Sequence, residues 1–304
     1  MPLRAMAHGV DIQGGAPSEA LGWSLDPWVV GTLALVLVLQ TAGHLRLRAR
    51  SGAASRRHRD GQALAFLGGW LALVVALVSP LDALGSAVFS AHMVQHEILM
   101  LIAAPLLVLA RPLAVWIWAF PAGARRRIGQ AVRQRAVDAA WRRITTPIAA
   151  WLLHAVVLWA WHAPWLFEAA LARPWIHALQ HTSFLASALL FWWTLLGPRG
   201  RQASDAMALL SLFTTMAHTG ALGALLTLAP TVWYPSYVGP STALGFEPLE
   251  DQWLGGLVMW VPGGLAYLVA ALAMAGRWFA ERVATPHRVD AAASPRRADG
   301  AASP

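Results

Sequence analysis

Apolar stretches alternate with short polar or arginine-rich segments along most of the chain, a pattern typical of helices that cross a membrane. A helix needs about 20 apolar residues to cross the hydrocarbon core of a bilayer, and stretches a few residues shorter or longer can also cross it. Seven stretches meet this description, at 27–45, 62–78, 90–112, 144–161, 175–196, 205–228 and 251–276. The pattern therefore predicts an all-α protein, a polytopic bundle of seven transmembrane helices.

The remaining segments predict how the chain is organised around this membrane domain, which extends over 27–280. Residues 1–26 are polar and predict a short extracytoplasmic tail, and residues 281–304, rich in Ala, Pro, Ser and Arg, predict a disordered cytoplasmic tail. Residues 112–140 are too basic to cross a bilayer. They predict a helix on the cytoplasmic membrane surface, with Trp116 and Trp118 at headgroup depth.

Arginines give the orientation of the bundle. All 23 basic residues are arginine, and in this topology all but Arg4 and Arg173 fall on one side of the membrane. Positively charged residues accumulate on the cytoplasmic side of membrane proteins. We therefore predict a multi-pass membrane protein with the N-terminus outside and the C-terminus inside.

Composition supports the membrane assignment and limits the chemistry. Hydrophobic residues make up 57% of the chain and charged residues 12%, with a mean hydropathy of +0.51. The net charge of +8 lies between apolar spans rather than on a soluble surface, so we expect a lipid partner and no nucleic acid. Cysteine is absent, which excludes thiolate ligands and cysteine nucleophiles.

Histidines form the candidate site. His92 and His96 are four residues apart, as are His177 and His181, so each pair shares one helix face. The predicted topology brings both pairs and His162 to the outer ends of their helices. A single histidine at a helix end is more often an interfacial hydrogen-bonding residue, but two pairs at the same depth favour metal ligation or proton handling.

Ligand chemistry narrows the metal without settling it. Imidazole suits copper, zinc, iron and nickel, and thioether favours Cu(I), so copper fits a site built from His and Met without Cys. Haem held by two axial histidines is the rival. An intramembrane hydrolase is disfavoured, because His96 and Glu97 lack the HExxH spacing of zinc proteases.

Several motifs in order resemble one protein family. They are His92-Met93-Val94-Gln95-His96 with Pro105-Leu106-Leu107, Trp161-His162-Ala163-Pro164 with Phe167-Glu168-Ala169-Ala170-Leu171, His177 with Gln180-His181 and Leu190-Phe191-Trp192-Trp193, Tyr234-Pro235-Ser236-Tyr237, and Asp251-Gln252-Trp253-Leu254-Gly255-Gly256 with Met259-Trp260. Over roughly residues 25–280 the chain resembles the CtaG family of membrane-embedded assembly factors for caa-type cytochrome c oxidases. It is not similar to the single-helix copper chaperone that shares the CtaG name.

The resemblance implies a bacterial inner-membrane protein needed to build an active haem-copper oxidase, with no catalysis of its own. Oxidase subunits and copper chaperones are the expected protein partners, and copper supply is the expected role. Our hypothesis for the copper ligands is His92, His96, His162, His177, His181, His218 and Asp251. The alternatives are a copper transporter that uses the same ligands and a haem-binding membrane redox protein.

Overall fold

The computed structural model describes residues 22–197 and 204–284, and every regular element in these ranges is helical. The helices are α1 (Pro27–Ala49), α2 (Ala53–Leu77), α3 (Pro80–Ala87), α4 (Phe89–Glu97), α5 (Ala104–Ala110), α6 (Pro112–Trp116), α7 (Ala122–Val132), α8 (Arg135–Ile144), α9 (Pro147–Trp161), α10 (Pro164–Ala172), α11 (Pro174–Leu196), α12 (Asp205–Thr227), α13 (Val238–Ala243) and α14 (Pro248–Ala284). The all-α prediction is confirmed for this part of the chain. Most of the predicted tail 1–26 and most of the tail 281–304 lie outside the described residues.

Helix starts follow from local sequence. Proline occupies the first position of several helices, where its missing N–H costs nothing and its fixed φ suits the helix. Side chains then cap the free N–H groups: Asp26 accepts from Trp28 N at 2.8 Å, Ser79 accepts from Leu81 N, and Thr146 accepts from Ala149 N. Ile144, where the fourth span is predicted to begin, is instead the last residue of α8, and Pro147 is the first residue of α9.

Five helices in the described residues are long and apolar enough to cross a membrane. The five spans are Pro27–Ala49, Ser55–Leu77, Phe89–Ala110, Asp205–Thr227 and Pro248–Ala280. A sixth span results if α8 and α9, bent by 68° relative to each other, count as one broken span. Helix α11 has 23 residues but is not apolar enough by the same measure, so the structure supplies five or six of the seven predicted spans.

The rod formed by α4 and α5 lies at the centre of the bundle. A π-helical segment, Ile98–Ala103, joins the two helices, and the rod packs against α2, α11 and α14. The Met100 carbonyl within the π segment accepts a 2.9 Å hydrogen bond from Trp192 Nε1 of α11. Such π segments occur frequently at functional sites. Here the segment begins immediately after His96 and Glu97.

The two ends of the bundle have different character. At one end the Ser24 N–H donates to the Val78 carbonyl at 2.8 Å, which joins the start of α1 to the end of α2 and places α3 nearby. At the other end Arg46 donates to the Trp118 carbonyl, and the Arg125 guanidinium lies 4.3 Å above the Trp118 ring. Helix α1 separates these ends by roughly 35 Å at 1.5 Å per residue.

Candidate metal centre

The two histidine pairs stack as their spacing requires. The ring centroids of His92 and His96 on α4 are 4.3 Å apart, and those of His177 and His181 on α11 are 4.2 Å apart. Residues four apart lie one turn above each other on the same helix face. Each helix therefore presents two imidazoles to its neighbour.

The structure brings five rings from three elements together. His92 lies 5.3 Å from His177 and 5.5 Å from His181, and His96 lies 5.2 Å from His181, between ring centroids. His162, which follows α9, lies 6.2 Å from His96. The rings at the predicted helix ends therefore form one cluster, which we call the histidine cluster.

Three members of the histidine cluster could hold a single ion. One ring nitrogen each from His92, His96 and His181 lies within 4.8 Å of the other two, and all three side chains are buried. Ligands about 2.0–2.1 Å from a tetrahedral ion lie about 3.3 Å apart. The three nitrogens would therefore have to approach one another somewhat to bind one tetrahedral ion.

Backbone carbonyls fix the tautomers of two rings. His92 Nδ1 lies 3.2 Å from the Gly85 carbonyl, and His162 Nδ1 lies 2.7 Å from the Leu158 carbonyl. A carbonyl oxygen only accepts, so both Nδ1 atoms carry the hydrogen, and in the neutral ring Nε2 keeps its lone pair. Metal-binding histidines are oriented in the same way by hydrogen bonds from their second nitrogen.

Six ring nitrogens of the histidine cluster are buried without a hydrogen-bond partner. The Nε2 atoms of all five rings in the histidine cluster are buried without a partner, and so is Nδ1 of His96. A buried polar atom left unpaired costs about 1–3 kcal/mol. The cluster therefore carries several unmet lone pairs, and a bound cation would satisfy them.

Burial keeps His162 neutral. Its side chain is 2% exposed, and burial lowers its pKa to about 4, against the opposing effect of the hydrogen bond to the Leu158 carbonyl. Only the neutral imidazole has a lone pair to offer a metal. At neutral pH this ring is therefore ready to act as a ligand.

Aromatic side chains enclose the histidine cluster and hold its supports. Phe167 lies 5.2 Å from His92, and Phe184 lies 4.4 Å from His96, between ring centroids. The Tyr237 hydroxyl donates to the Gly85 carbonyl at 3.0 Å, and the Tyr234 hydroxyl donates to the His162 carbonyl at 2.8 Å. Burial raises the pKa of both phenols, so both stay protonated and can donate.

His218 lies apart from the five clustered rings in the described structure. Its Nδ1 accepts a 3.4 Å hydrogen bond from Trp159 Nε1, and its ring meets the Trp151 ring edge-on at 5.9 Å. Both tryptophans belong to α9. The structure thus places this predicted ligand against the side of α9, and a role in the histidine cluster stays a prediction.

Asp251 binds the first turn of the helix that carries the first histidine pair. Its two carboxylate oxygens accept hydrogen bonds from the backbone N–H groups of Phe89, at 2.7 Å, and Ser90, at 3.0 Å. These are free N–H groups in the first turn of α4, and a carboxylate is favourable there. Asp251 therefore caps α4, which carries His92 and His96, and its role as a metal ligand stays a prediction.

Two glutamines were missed as candidate residues. Gln95 donates to the Ala76 carbonyl at 2.7 Å and to Asp82 Oδ1 at 3.0 Å, and Gln180 is buried with neither end of its carboxamide partnered. Each glutamine immediately precedes the second histidine of a pair. The sequence His-x-x-Gln-His occurs twice, and this repeat was the signal that could have identified them.

Residues 38–281 match the family model for the cytochrome c oxidase caa3 assembly factor, Caa3_CtaG. Uncharacterized proteins of Mycobacterium bovis and Mycobacterium tuberculosis are each 28% identical over 264 residues, and one of Mycobacterium leprae is 27% identical over 271. Each alignment covers 84% of this chain but only 39% of the relative. No solved structure matches the chain.

Proposed function

Because the chain belongs to the cytochrome c oxidase caa3 assembly factor family, we propose that it binds copper at the histidine cluster and supplies it to a haem-copper oxidase during assembly. The expected protein partners are the oxidase subunits and copper chaperones. Copper is the cargo in this proposal, and the protein itself performs no catalysis.

One observation supports the copper proposal above all others. Five buried imidazoles converge, and their Nε2 atoms lack hydrogen-bond partners. Imidazole nitrogen suits copper, whereas calcium and magnesium require more oxygen ligands. The three nitrogens closest together come from imidazoles, which suit copper without any thiolate.

The position of the histidine cluster supports delivery on the extracytoplasmic side. The cluster contacts α3 at the end of the bundle where α1 starts, and the arginine-rich contacts of Trp118 lie at the opposite end of α1. The positive-inside rule assigns the arginine-rich end to the cytoplasm. We propose a bacterial inner-membrane protein with seven spans, including α11, the N-terminus outside and the C-terminus inside.

In the same proposal the arginine-rich helices α7 and α8 lie on the cytoplasmic membrane surface. Both helices combine arginines with exposed apolar side chains, among them Val132 on α7 and Val137 on α8. Such helices bury their apolar face among the headgroups and interact with anionic lipid. This proposal keeps the interfacial helix that the sequence predicts at 112–140.

A strain lacking this protein tests the proposed function. We expect loss of oxidase activity with the oxidase subunits still present, a lower copper content of the oxidase, and partial recovery when copper is added. Complementation should succeed with the wild-type chain and fail with a His92→Ala/His96→Ala variant. Normal oxidase copper content in the deletion strain would contradict the proposal.

Copper transport is the second candidate, and two deeper histidines favour it. His154 lies on α9, two helical turns before His162. The Nε2 atoms of His154 and His218 are both buried without a hydrogen-bond partner. A transport path needs ligands below its outer site. Copper flux through the purified protein in liposomes without oxidase would support transport. Absence of flux would exclude transport and keep the assembly role.

A further inference from the structure

The histidine cluster opens to the surface at one ring. His92, His96, His162 and His181 are all buried, whereas His177 is partly exposed. His177 lies in the first turn of α11, and its ring is 5.3 Å from that of His92. An ion arriving from outside would therefore meet His177 before the buried rings.

Helix α3 packs against α4 beside this mouth and carries a carboxylate, Asp82. Its Gly85 carbonyl accepts from His92 Nδ1, and Asp82 precedes Gly85 by three residues, on the same side of the helix. Asp82 Oδ1 in turn accepts a 3.0 Å hydrogen bond from Gln95, which lies between His92 and His96 on α4. The carboxylate is thus anchored to both elements that hold His92.

Glycine at position 85 leaves room for the Gln95 carboxamide, which holds Asp82. A Cβ atom at Gly85 would overlap the carboxamide oxygen of Gln95, whereas the His92 Cα would lie at an ordinary 3.4 Å. A side chain at position 85 would therefore displace the carboxamide that donates to Asp82.

The charge of Asp82 has no positive partner in residues 22–197 and 204–284. No arginine forms a salt bridge with it, its side chain is only partly buried, and its charge acts on the His177 ring. The neighbouring acids are engaged otherwise: Asp251 caps α4, and Glu168 accepts from the backbone N–H of Ser236 at 3.2 Å. Among Asp82, Asp251 and Glu168, Asp82 is the carboxylate that is bonded to the helix carrying His92 and His96 through a side chain and not through its backbone N–H groups.

We propose that Asp82 is the capture ligand of the site, which takes up the arriving copper ion and passes it through His177 to the buried histidines. This inference rests on the proposed function, because it requires copper as the cargo. The carboxylate supplies the negative charge that the buried rings lack. Capture by charge speeds binding, and the neutral rings then determine how much copper is held.

The rate of copper uptake tests this role. Purified wild-type protein and Asp82→Asn would be mixed with Cu(I) under anaerobic conditions, and uptake followed over time at low and high salt. Asparagine keeps an oxygen that can accept the Gln95 hydrogen bond but removes the charge. At a few ångströms in water one charge changes binding about five-fold, and salt screens this effect. We expect about five-fold slower uptake by Asp82→Asn at low salt, a smaller difference at high salt, and unchanged stoichiometry.

Two further variants complete the test. Asp82→Glu restores the charge and should recover most of the rate, whereas Glu250→Gln removes a charge from an exposed residue at the start of α14 and should behave as wild type. Equal rates for wild type and Asp82→Asn at low salt would overturn the capture role. If Asp82→Asn does not fold, a wild-type rate independent of salt would overturn it instead. Failure of the wild-type protein to bind copper would contradict the proposed function itself.

Discussion

Replacement of Asp251 separates the two roles considered for this residue. The sequence predicts a metal ligand, and the structure shows a carboxylate that caps α4 from α14. Asp251→Ala removes both hydrogen bonds and leaves the backbone N–H groups of Phe89 and Ser90 unpaired in a buried environment. Asp251→Asn keeps one acceptor oxygen and loses the other.

The expected cost follows from the two hydrogen bonds. A hydrogen bond to a charged group contributes about 1.5–3 kcal/mol, so Asp251→Ala should lower the free energy of unfolding by about 3–6 kcal/mol. Asp251→Asn should lose about half of that, because one neutral acceptor remains. This is a large fraction of the 5–15 kcal/mol typical of folded domains.

Unfolding in detergent, followed by circular dichroism, measures this effect. We expect the order of stability to be wild type, then Asp251→Asn, then Asp251→Ala. Glu250→Ala is the matched control, because it removes a neighbouring carboxylate that is exposed, and it should unfold as wild type does. Under conditions where Asp251→Ala is folded, it should still bind copper with wild-type stoichiometry. An unchanged unfolding midpoint combined with loss of copper binding would refute the capping argument and restore Asp251 as a ligand.

Three further predictions concern the histidine cluster. The double variant His92→Ala/His96→Ala should lose copper in equilibrium binding, whereas His218→Ala should retain it. Equal binding by the wild type and the double variant would exclude His92 and His96 as ligands. Tyr237→Phe removes the donor to the carbonyl that orients His92 and should weaken copper binding up to about 10-fold, measured by competition with a chelator; unchanged affinity would contradict this. Gly85→Ala places a methyl group where the Gln95 carboxamide lies, so this carboxamide must shift, and the substitution should cost about 1–3 kcal/mol in detergent unfolding. A wild-type midpoint would show that Gln95 moves aside without cost.

The sequence was informative where a periodic pattern maps directly onto one helix. The His92/His96 and His177/His181 pairs could be predicted to share a face because a helix turns once in 3.6 residues. Similarly, the apolar stretches predicted the long helices. The number of spans could not be predicted as directly. Helix α11 carries polar side chains of the site, so its mean hydropathy is lower than that of the other long helices.

The supports of the site could not be predicted in the same way. The acceptors at Gly85 and Leu158 are backbone carbonyls, which have no side-chain signature. Asp251 caps a helix more than 160 residues earlier in the chain, and only the packing of α14 against α4 reveals the contact. The position of His218 along α12 was predictable from the sequence, but the direction of its side chain depends on how α12 packs against α9.

The arrangement of charge fits the proposed cargo role. The three nitrogens closest together belong to imidazoles, which in the neutral form offer a cation a lone pair and no negative charge. Asp82 is bonded to Gln95 of α4, beside the first histidine pair, and Asp251 neutralises the first turn of α4. In the proposed function the charge of Asp82 would speed the arrival of copper, and the buried imidazoles would hold the ion through their lone pairs until its transfer.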